Sequence, residues 1–461
     1  MKRILTLLAI CSSLSVVSSA APSAKPNIIF VLYDDLGYGE PRCYREGSPF
    51  KTPNMDRLAK EGMRFTDAHS AAAVCTPTRY GVLTGRYPSR IGQFGVLTTF
   101  SKPIIPAQRL TVASLMRQHG YDTACFGKWH LGMDWGELND KNNNVKVGTK
   151  LKAGPNAAGF DYFYGVTHSR NMGTLIEQDT VEAMIKDVEV LPRLTKKIIG
   201  YLDEPARKAK PFFLYLPLLP PHTPIVPAPE FAGKGGSDGY GDWIHQGDHV
   251  LGQVLEALDR HQLADNTLIM VSSDNGAANR PYAPLRAAKT SIYEGGHRVP
   301  FLARWPGKIK PGTVCDDTIC LNDLMATCAE IVGAKLPDNA AEDSVSVLPA
   351  LLDADNGPAR EATIHQSMRG DLAIRQGQWK LIFLKDGKRE LYNLQDDLGE
   401  TKDIAATNPE VVGRLTTLMR KHIADGRSTA GAPQKNESPI SLDGGSGGGK
   451  KRKGKQKSTN P

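Results

Sequence analysis

The sequence predicts an α/β fold: a large mixed, mostly parallel sheet sandwiched by helices, followed by a smaller C-terminal α+β domain with a short antiparallel sheet. Two observations carry this expectation. Continuous apolar runs, as expected of strands buried on both faces, alternate with segments of helical spacing. Each run stops in a polar, glycine-rich loop. Past about residue 345 the pattern changes to short alternating strands with turns at Gly377 and Asp386-Gly387.

The chain opens on Met1-Lys2-Arg3, an apolar run and then small residues up to Ala20-Ala21. That is the pattern of a secretory signal peptide over residues 1–20, too short to span a membrane, and it implies export to the periplasm or beyond. Asn27 to Tyr33 reads as a central strand ending at Asp34-Asp35-Leu36-Gly37-Tyr38-Gly39, and Pro53 to Glu61 as a short helix. Cys75 stands just before another helix, with Thr76 suited to the N-cap, Pro77 to the first helical position, and Thr84 near the end. Thr111 to His119 has helical spacing and is stopped by Gly120.

Thr123 to Phe126 is a strand running into Gly127-Lys128-Trp129-His130. Residues 134–156 turn polar and read as a surface insertion. Phe212 to Leu216 is a buried strand ending in Pro220-Pro221-His222-Thr223-Pro224, and Asp242 to His261 a long amphipathic helix. Thr267 to Ser272 is a strand ending at Ser273-Asp274-Asn275-Gly276; Val299 to Arg304 is another, after Glu294-Gly295-Gly296-His297. Leu372 to Arg375, Trp379 to Leu384 and Arg389 to Asn393 are the short strands of the second domain, with a helix from Pro409 to Ile423. The domain expectation is thus 21–345 for the large α/β domain, 346–430 for the smaller one and 431–461 for a disordered Gly/Lys-rich tail.

The formal net charge of +8 resides in the two ends of the chain. Without Lys2, Arg3 and the six Lys and Arg residues from Lys450 to Lys457, the body is near neutral, so charge does not point to nucleic-acid binding. Six cysteines follow the leader: Cys43, Cys75, Cys125, Cys315, Cys320 and Cys328. That is no disulfide scaffold; Cys315 with Cys320 is the one local pair to consider.

Polar residues cluster at the strand ends. Asp34, Asp35, Asp274 and Asn275 offer carboxylates and an amide oxygen, hard ligands that suit Ca²⁺ or Mg²⁺. No Cys/His cluster has tetrahedral spacing, which argues against zinc. Arg79, Lys128 and Lys289 are cationic, and His130 and His222 can carry protons. Cys75 itself would face free backbone N–H groups, the positive end of a helix and Arg79, a setting for an anion. If these loops converge, the pocket receives a small anion where water screens poorly. His168 and Arg170, and Arg280, Tyr282 and Arg286, are further residues that could line it.

The Cys-x-Pro-x-Arg pattern at Cys75-Thr76-Pro77-Thr78-Arg79, followed by two apolar residues, Thr84 and Gly85, resembles the signature of the formylglycine-dependent (type I) sulfatases. These are arylsulfatase-like members of the alkaline-phosphatase superfamily. The likeness covers most of residues 27 to 400. It includes Asp34-Asp35-Leu36-Gly37, Gly127-Lys128-Trp129-His130, Pro221-His222-Thr223-Pro224, Asp274-Asn275-Gly276 and Lys289 with Glu294-Gly295-Gly296-His297.

The resemblance implies an alkaline-phosphatase-like fold and a sulfuric ester hydrolase acting on sulfate monoesters, a sulfated carbohydrate being the expected substrate class. It implies one Ca²⁺ held by Asp34, Asp35, Asp274, Asn275 and residue 75. Cys75 would be converted to 3-oxoalanine (formylglycine) by a formylglycine-generating or sulfatase-maturating enzyme. Lys128, His222 and Lys289 would hold sulfate oxygens, Arg79 would steady the aldehyde hydrate and His130 would act as base. Two rival readings stand beside it: a phosphate or phosphonate ester hydrolase on the same fold, and a non-catalytic binder of sulfated glycans.

Overall fold

An Asn-Ile-Ile-Phe-Val-Leu-Tyr-Asp run has no polar face, and β1 (Asn27–Asp34) is accordingly buried along its whole length. In the computed structural model, which describes residues 25–138, 140, 145–352 and 360–443, β1 lies at the centre of a ten-stranded sheet. The elements that position the site are, in chain order after β1, α1 (Cys75–Thr84), β2 (Asp122–Lys128), α2 (Asp187–Asp203), β3 (Phe212–Pro221), α3 (Gly239–Arg260) and β4 (Thr267–Ser273).

Spatially the four central strands run β4-β1-β3-β2, all parallel. Phe30 of β1 stands opposite Tyr215 on one side and Met270 on the other. Tyr162–Val166 continues the parallel set beside β2. Antiparallel strands close both edges, beginning with Phe301–Arg304 next to β4 and Thr174–Glu177 next to Tyr162–Val166. The sheet is therefore mixed, with a parallel centre.

Alternation along β1 builds two cores. Ile28, Phe30 and Leu32 pack with Tyr80, Val82 and Leu83 of α1 on one face. Ile29, Val31 and Tyr33 pack with Leu191 and Leu194 of α2 and Trp243 and Leu251 of α3 on the other. Each such side chain contributes about 1.5–3 kcal/mol when fully buried.

The second domain is a four-stranded antiparallel sheet, Thr363–Gln366, Leu372–Gln376, Trp379–Phe383 and Arg389–Asn393, in sequence order. Helix Pro409–Ala424 lays Leu415 and Met419 on it. Its first strand is sewn to the segment leading into α1: Ala73 N–H donates to Gln366 O (3.0 Å) and Gln366 N–H to Ala71 O (3.1 Å).

Several expectations are corrected. α1 begins at Cys75, with Val74 as N-cap. The Thr76 hydroxyl caps nothing; it donates to His130 O (2.9 Å) and accepts from Leu97 N–H (3.2 Å). Pro77 thereby falls at the third helical position, still among the first residues whose N–H has no intrahelical partner. β2 extends to Lys128, and β3 to Pro221, its prolines lying where pairing with β1 ends. Residues 134–156 are not purely a surface insertion: Trp135 and Val145 are buried in the core.

Residues 431–443, expected in the tail, are folded against the large domain. Arg86 pairs with Glu437, Ser438 N–H bonds Arg90 O, and Leu442 is buried. The rest of the expected tail, 444–461, and the expected signal peptide lie outside the described residues. Cys315 and Cys320 are both free thiols, as are the other described cysteines.

Candidate active site

The carboxyl ends of the four parallel strands meet at one sheet edge, where open α/β sheets place their ligands. β1 delivers Asp34 and Asp35, β2 delivers Lys128 and His130, β3 delivers His222, and β4 delivers Asp274 and Asn275. Asp35 has φ of +71° and His130 φ of +56°. These left-handed conformations are costly for residues other than glycine and persist only where surroundings enforce them. For His130 the surroundings are its N–H on Thr167 O (2.8 Å) and its carbonyl under the Thr76 hydroxyl.

Cys75 enters from the first turn of α1, and Lys289 from the loop after β4. Lys289 Nζ is 3.6 Å from Cys75 Sγ and 2.7 Å from Asp35 Oδ2. Lys128 Nζ reaches both Asp34 oxygens, at 2.9 and 2.7 Å. Arg79 grips Asp274 Oδ2 through Nε (3.1 Å) and Nη2 (2.7 Å) and donates Nη1 to Lys128 O (3.1 Å). Asn275 Nδ2 donates to Asp35 Oδ1 (2.8 Å), and His222 Nε2 lies 3.8 Å from Asp35 Oδ2. Three carboxylates thus face three cations, nearly all of them buried.

The electrostatics follow from that burial. Desolvation would raise the Asp34 carboxyl, but Lys128, His222, Arg79 and Lys289 outweigh it and hold it well below the usual range. Asp274 is lifted to about 6 by burial, against the pull of Arg79. Burial pushes the Cys75 thiol up to about 12 despite Lys128 and Lys289, so an unmodified Cys75 is protonated and a poor nucleophile. His130 is held well below its ordinary value by burial, then by Lys128, His168 and Arg79. Its Nε2 lies 3.0 Å from Leu97 O. A carbonyl can only accept, so Nε2 carries the proton and Nδ1 the lone pair. Nδ1 is buried without a partner among the described residues.

A hard divalent cation fits this donor set. The ligating atoms of Asp34, Asp35, Cys75 and His222 lie within 4.8 Å of one another. Asn275 Oδ1 is buried with no hydrogen-bond partner among the described residues, a lone pair left for a ligand. Carboxylate and amide oxygens of this kind suit an alkaline-earth ion.

Cys75, Arg79, Lys128, His130, His222 and Lys289 stand at this edge with Asp34, Asp35, Asp274 and Asn275, and two contributors went unnoticed in the sequence. Ser169 donates its hydroxyl to Asp34 Oδ2 at 2.6 Å. A serine in a polar loop gives no signal of its own, although His168 and Arg170 beside it drew attention. Glu40, buried and bonded to the Asp34–Gly37 turn, is the other. His168 is buried rather than on the surface, bonded to Thr99 Oγ1 (3.0 Å) with its ring 5.6 Å from that of His130. Arg286 is committed to Tyr392 and Glu400 of the C-terminal domain and so is turned away from the pocket.

Comparison with known proteins bears on the family and the fold. The family model described as Sulfatase matches residues 26–334, and one described as N-sulphoglucosamine sulphohydrolase, C-terminal, matches residues 287–428. The chain is 31% identical to N-acetylgalactosamine-6-O-sulfatase of Bacteroides thetaiotaomicron, covering 86% of this chain and 93% of that one. It is 30% identical to human arylsulfatase A over 88% of this chain and 89% of that one. A solved sulfatase structure from work on glycosaminoglycan metabolism by Bacteroides thetaiotaomicron superposes with a TM-score of 0.79 at 30% identity, covering 87% of this chain and 99% of the other.

Proposed function

Because the chain belongs to the sulfatase family, we propose that it hydrolyses sulfate monoesters of carbohydrates, with residue 75 as nucleophile once its cysteine has become formylglycine. The observation that carries this reading is the meeting of Cys75 and Lys289 at 3.6 Å beside three buried carboxylates. Formylglycine at this position would set its aldehyde carbon beside Lys289, with Lys128 and Arg79 close by. The glycosaminoglycan context of the solved relative supports a sulfated saccharide as substrate.

Asp34, Asp35, Asp274 and Asn275, with residue 75, would hold one Ca²⁺, which supplies charge to lower the pKa of a hydroxyl and to polarise a sulfate oxygen. A hydrated aldehyde at residue 75 offers two hydroxyls on one carbon: one to attack sulfur, the other to expel sulfate on losing its proton. A serine would instead be left as a stable sulfate ester.

The chain's own residues provide the rest. Lys128 and Lys289, each now pairing with a carboxylate, turn their ammonium groups to the sulfate oxygens, where charge develops in the transition state. His222 lies 2.5 Å from Thr223 O through Nδ1, which fixes a proton there and leaves Nε2 facing Asp35. As the imidazolium, opposed by burial but favoured by Asp34, Asp35 and an arriving sulfate ester anion, it binds a sulfate oxygen and hands its Nε2 proton to the leaving alcohol. Arg79, fixed by Asp274 and Lys128 O, braces the hydrate. His130, neutral and with Nδ1 unengaged, takes the proton of the second hydroxyl.

Conversion of Cys75 requires a formylglycine-generating or sulfatase-maturating partner, and the expected leader points to export of the protein. No helix among the described residues is long and apolar enough to cross a membrane. The test is sulfate release by matured protein from a panel of defined sulfated saccharides, run beside aryl sulfate and aryl phosphate. Sulfate release from the saccharides is expected. Phosphate release alone would indicate a phosphoryl or phosphonate hydrolase, and glycan binding without release from any ester a non-catalytic binder.

A further inference from the structure

Glu40 is fully buried, and among the described residues it has no ion-pair partner. A carboxylate so placed is costly unless donors surround it, and three do, each from a different part of the chain. Gly37 N–H donates to Oε2 at 2.7 Å. The Tyr240 hydroxyl, from the start of α3, donates to Oε1 at 2.7 Å. The Tyr282 hydroxyl, from the loop between Asn275 and Lys289, donates to the same oxygen at 2.8 Å.

The two loops joined in this way are those that carry the acidic cluster. Asp35, at φ +71°, lies two residues before Gly37 and holds both Lys289 and Asn275. The Tyr282 loop leaves β4 immediately after Asn275 and returns to the pocket at Lys289. Their approach is close: a Cβ on Gly37 would lie 2.8 Å from Ala277 Cβ and 3.0 Å from Tyr282 Cε2. Guanidinium groups cover the outer faces of both rings, Arg280 over Tyr240 (4.0 Å) and Arg45 over Tyr282 (5.0 Å). The phenols are thereby held with their hydroxyls turned inward to Glu40.

We propose that Glu40 is a positioning residue: it clamps the Asp34–Gly37 turn to the loop bearing Lys289 and so sets the spacing of the oxygen ligands around the cation. It touches neither substrate nor the reacting atoms. Its action is that of an outer-shell group that orients ligating carboxylates. The proposal rests on the reading of the site as a Ca²⁺-dependent sulfatase centre.

The experiment is calorimetric titration of the purified full-length protein with CaCl₂, alongside kcat and KM on an aryl sulfate, for wild type, Glu40→Ala, Glu40→Gln and Tyr282→Phe. Removing outer-shell partners of metal ligands typically costs roughly 10–100-fold in metal affinity or activity, and Glu40→Ala is expected in that range. Glu40→Gln should lose less, because its amide oxygen still serves Gly37 while the phenols turn to accept. Tyr282→Phe, which keeps the carboxylate and one phenol, is expected to weaken Ca²⁺ binding severalfold with KM nearly unchanged, and it carries the test should Glu40→Ala not fold. Variants that melt earlier yet bind Ca²⁺ as tightly as an active wild type overturn the proposal alone. A wild-type protein that neither binds Ca²⁺ nor releases sulfate overturns the underlying reading of the site, and this proposal with it.

Discussion

Lys289 and Cys75, 214 positions apart in sequence, meet at 3.6 Å, and the same ammonium group lies 2.7 Å from Asp35. The lysine is thus shared between the nucleophilic position and the acidic cluster, and its pKa is raised by Cys75 and Asp35 against the effect of burial. It stays charged across the accessible pH range, so its loss removes a fixed positive charge from the place where sulfate oxygens gather theirs. Lys289→Ala is expected to lower kcat for sulfate ester hydrolysis by about 10²–10³, the usual scale for one lost oxyanion donor. Because Lys289 also pairs with the buried Asp35, Tm is read beside kcat, and a Tm close to wild type assigns the loss to the chemistry. A Lys289→Ala enzyme within a fewfold of wild-type kcat would remove this residue from the chemistry.

Among the described residues, Cys75 makes a single side-chain hydrogen-bond contact, that with Lys289, and is buried at the start of α1. Cys75→Ala is therefore expected to leave folding close to normal, with a loss of about 1.5 kcal/mol or less, while abolishing turnover. Cys75→Ser should retain the fold and fail to turn over. Mass spectrometry of the tryptic peptide from Phe65 to Arg79 checks the modification itself. Protein matured in a competent host should give a peptide lighter by the difference between a CH₂SH and a CHO group. Full activity in protein whose peptide keeps the thiol mass would end the formylglycine reading.

The strands that build the pocket were legible because burial on both faces erases alternation: Asn27–Asp34 and Thr267–Ser273 have no polar side to confuse. The site was legible for a related reason. A buried strand end has no structural need for Asp34, Lys128 or Asp274, so each of them stands out. What escaped lacked such contrast. α2 contains Pro192, which masks the spacing of Val190, Leu191, Leu194 and Ile198 that buries it. Strand Thr363–Gln366 holds one large apolar residue, and what makes it a strand is its pairing with Leu372–Gln376 and with Ala72, contacts no local pattern encodes. Thr76 looked like a cap because its neighbours suit a helix start; its hydroxyl is instead taken by His130 O. Ser169 bonds Asp34, 135 positions away, and Glu40 bonds Tyr240 and Tyr282, 200 and 242 positions away, contacts that no local pattern encodes.

His130 gives a prediction about pH. Its folded-state pKa lies well below 6.5 because the ring is buried and because Lys128, His168 and Arg79 repel a proton. The neutral form, with Nδ1 available as base, therefore persists as pH falls from 7 through 6.5. The acid limb of the kcat profile for an aryl sulfate, where this base is required, should lie below 6.5. His130→Ala should reduce kcat by about 10²–10⁴, the range for a lost general base. An acid limb centred at or above 6.5 that survives in His130→Ala would assign the base elsewhere.

A second group of histidines gives a prediction about stability. Behind α1, where the two domains join, His69 Nδ1 lies 3.1 Å from His297 Nδ1, and His297 stacks on His365 with ring centroids 4.0 Å apart. Arg375 and Lys380 of the C-terminal sheet approach His69 (2.9 Å) and His297 (3.0 Å), and Asp67, Glu294 and Glu400 balance the cations. All three rings are buried. Desolvation first, then neighbouring cations or rings, lowers the pKa of each, opposed in part by Glu294. In the unfolded chain they would titrate near 6.5. Below that pH the unfolded state binds protons that the folded state refuses, so stability present above 6.5 is lost as pH falls toward the depressed folded values. Each histidine contributes a slope of about 1.4 kcal/mol per pH unit, and the three together about 4 kcal/mol per unit. Asp67 and Glu294, held low, lose their stabilising effect only as pH falls below the ordinary carboxylate range; Glu400, raised, acts in the opposite sense and above that range. Carboxyls raised by burial into the same window, Glu40 and Asp248 at about 7 and Asp274 at about 6, act in the opposite sense. The rings are therefore read by difference: from pH 6.5 to 5.5 the urea midpoint of His365→Gln should fall less, or rise more, than that of wild type. A His365→Gln midpoint that runs parallel to wild type down to pH 5.5 would mean that this ring accepts its proton within the fold.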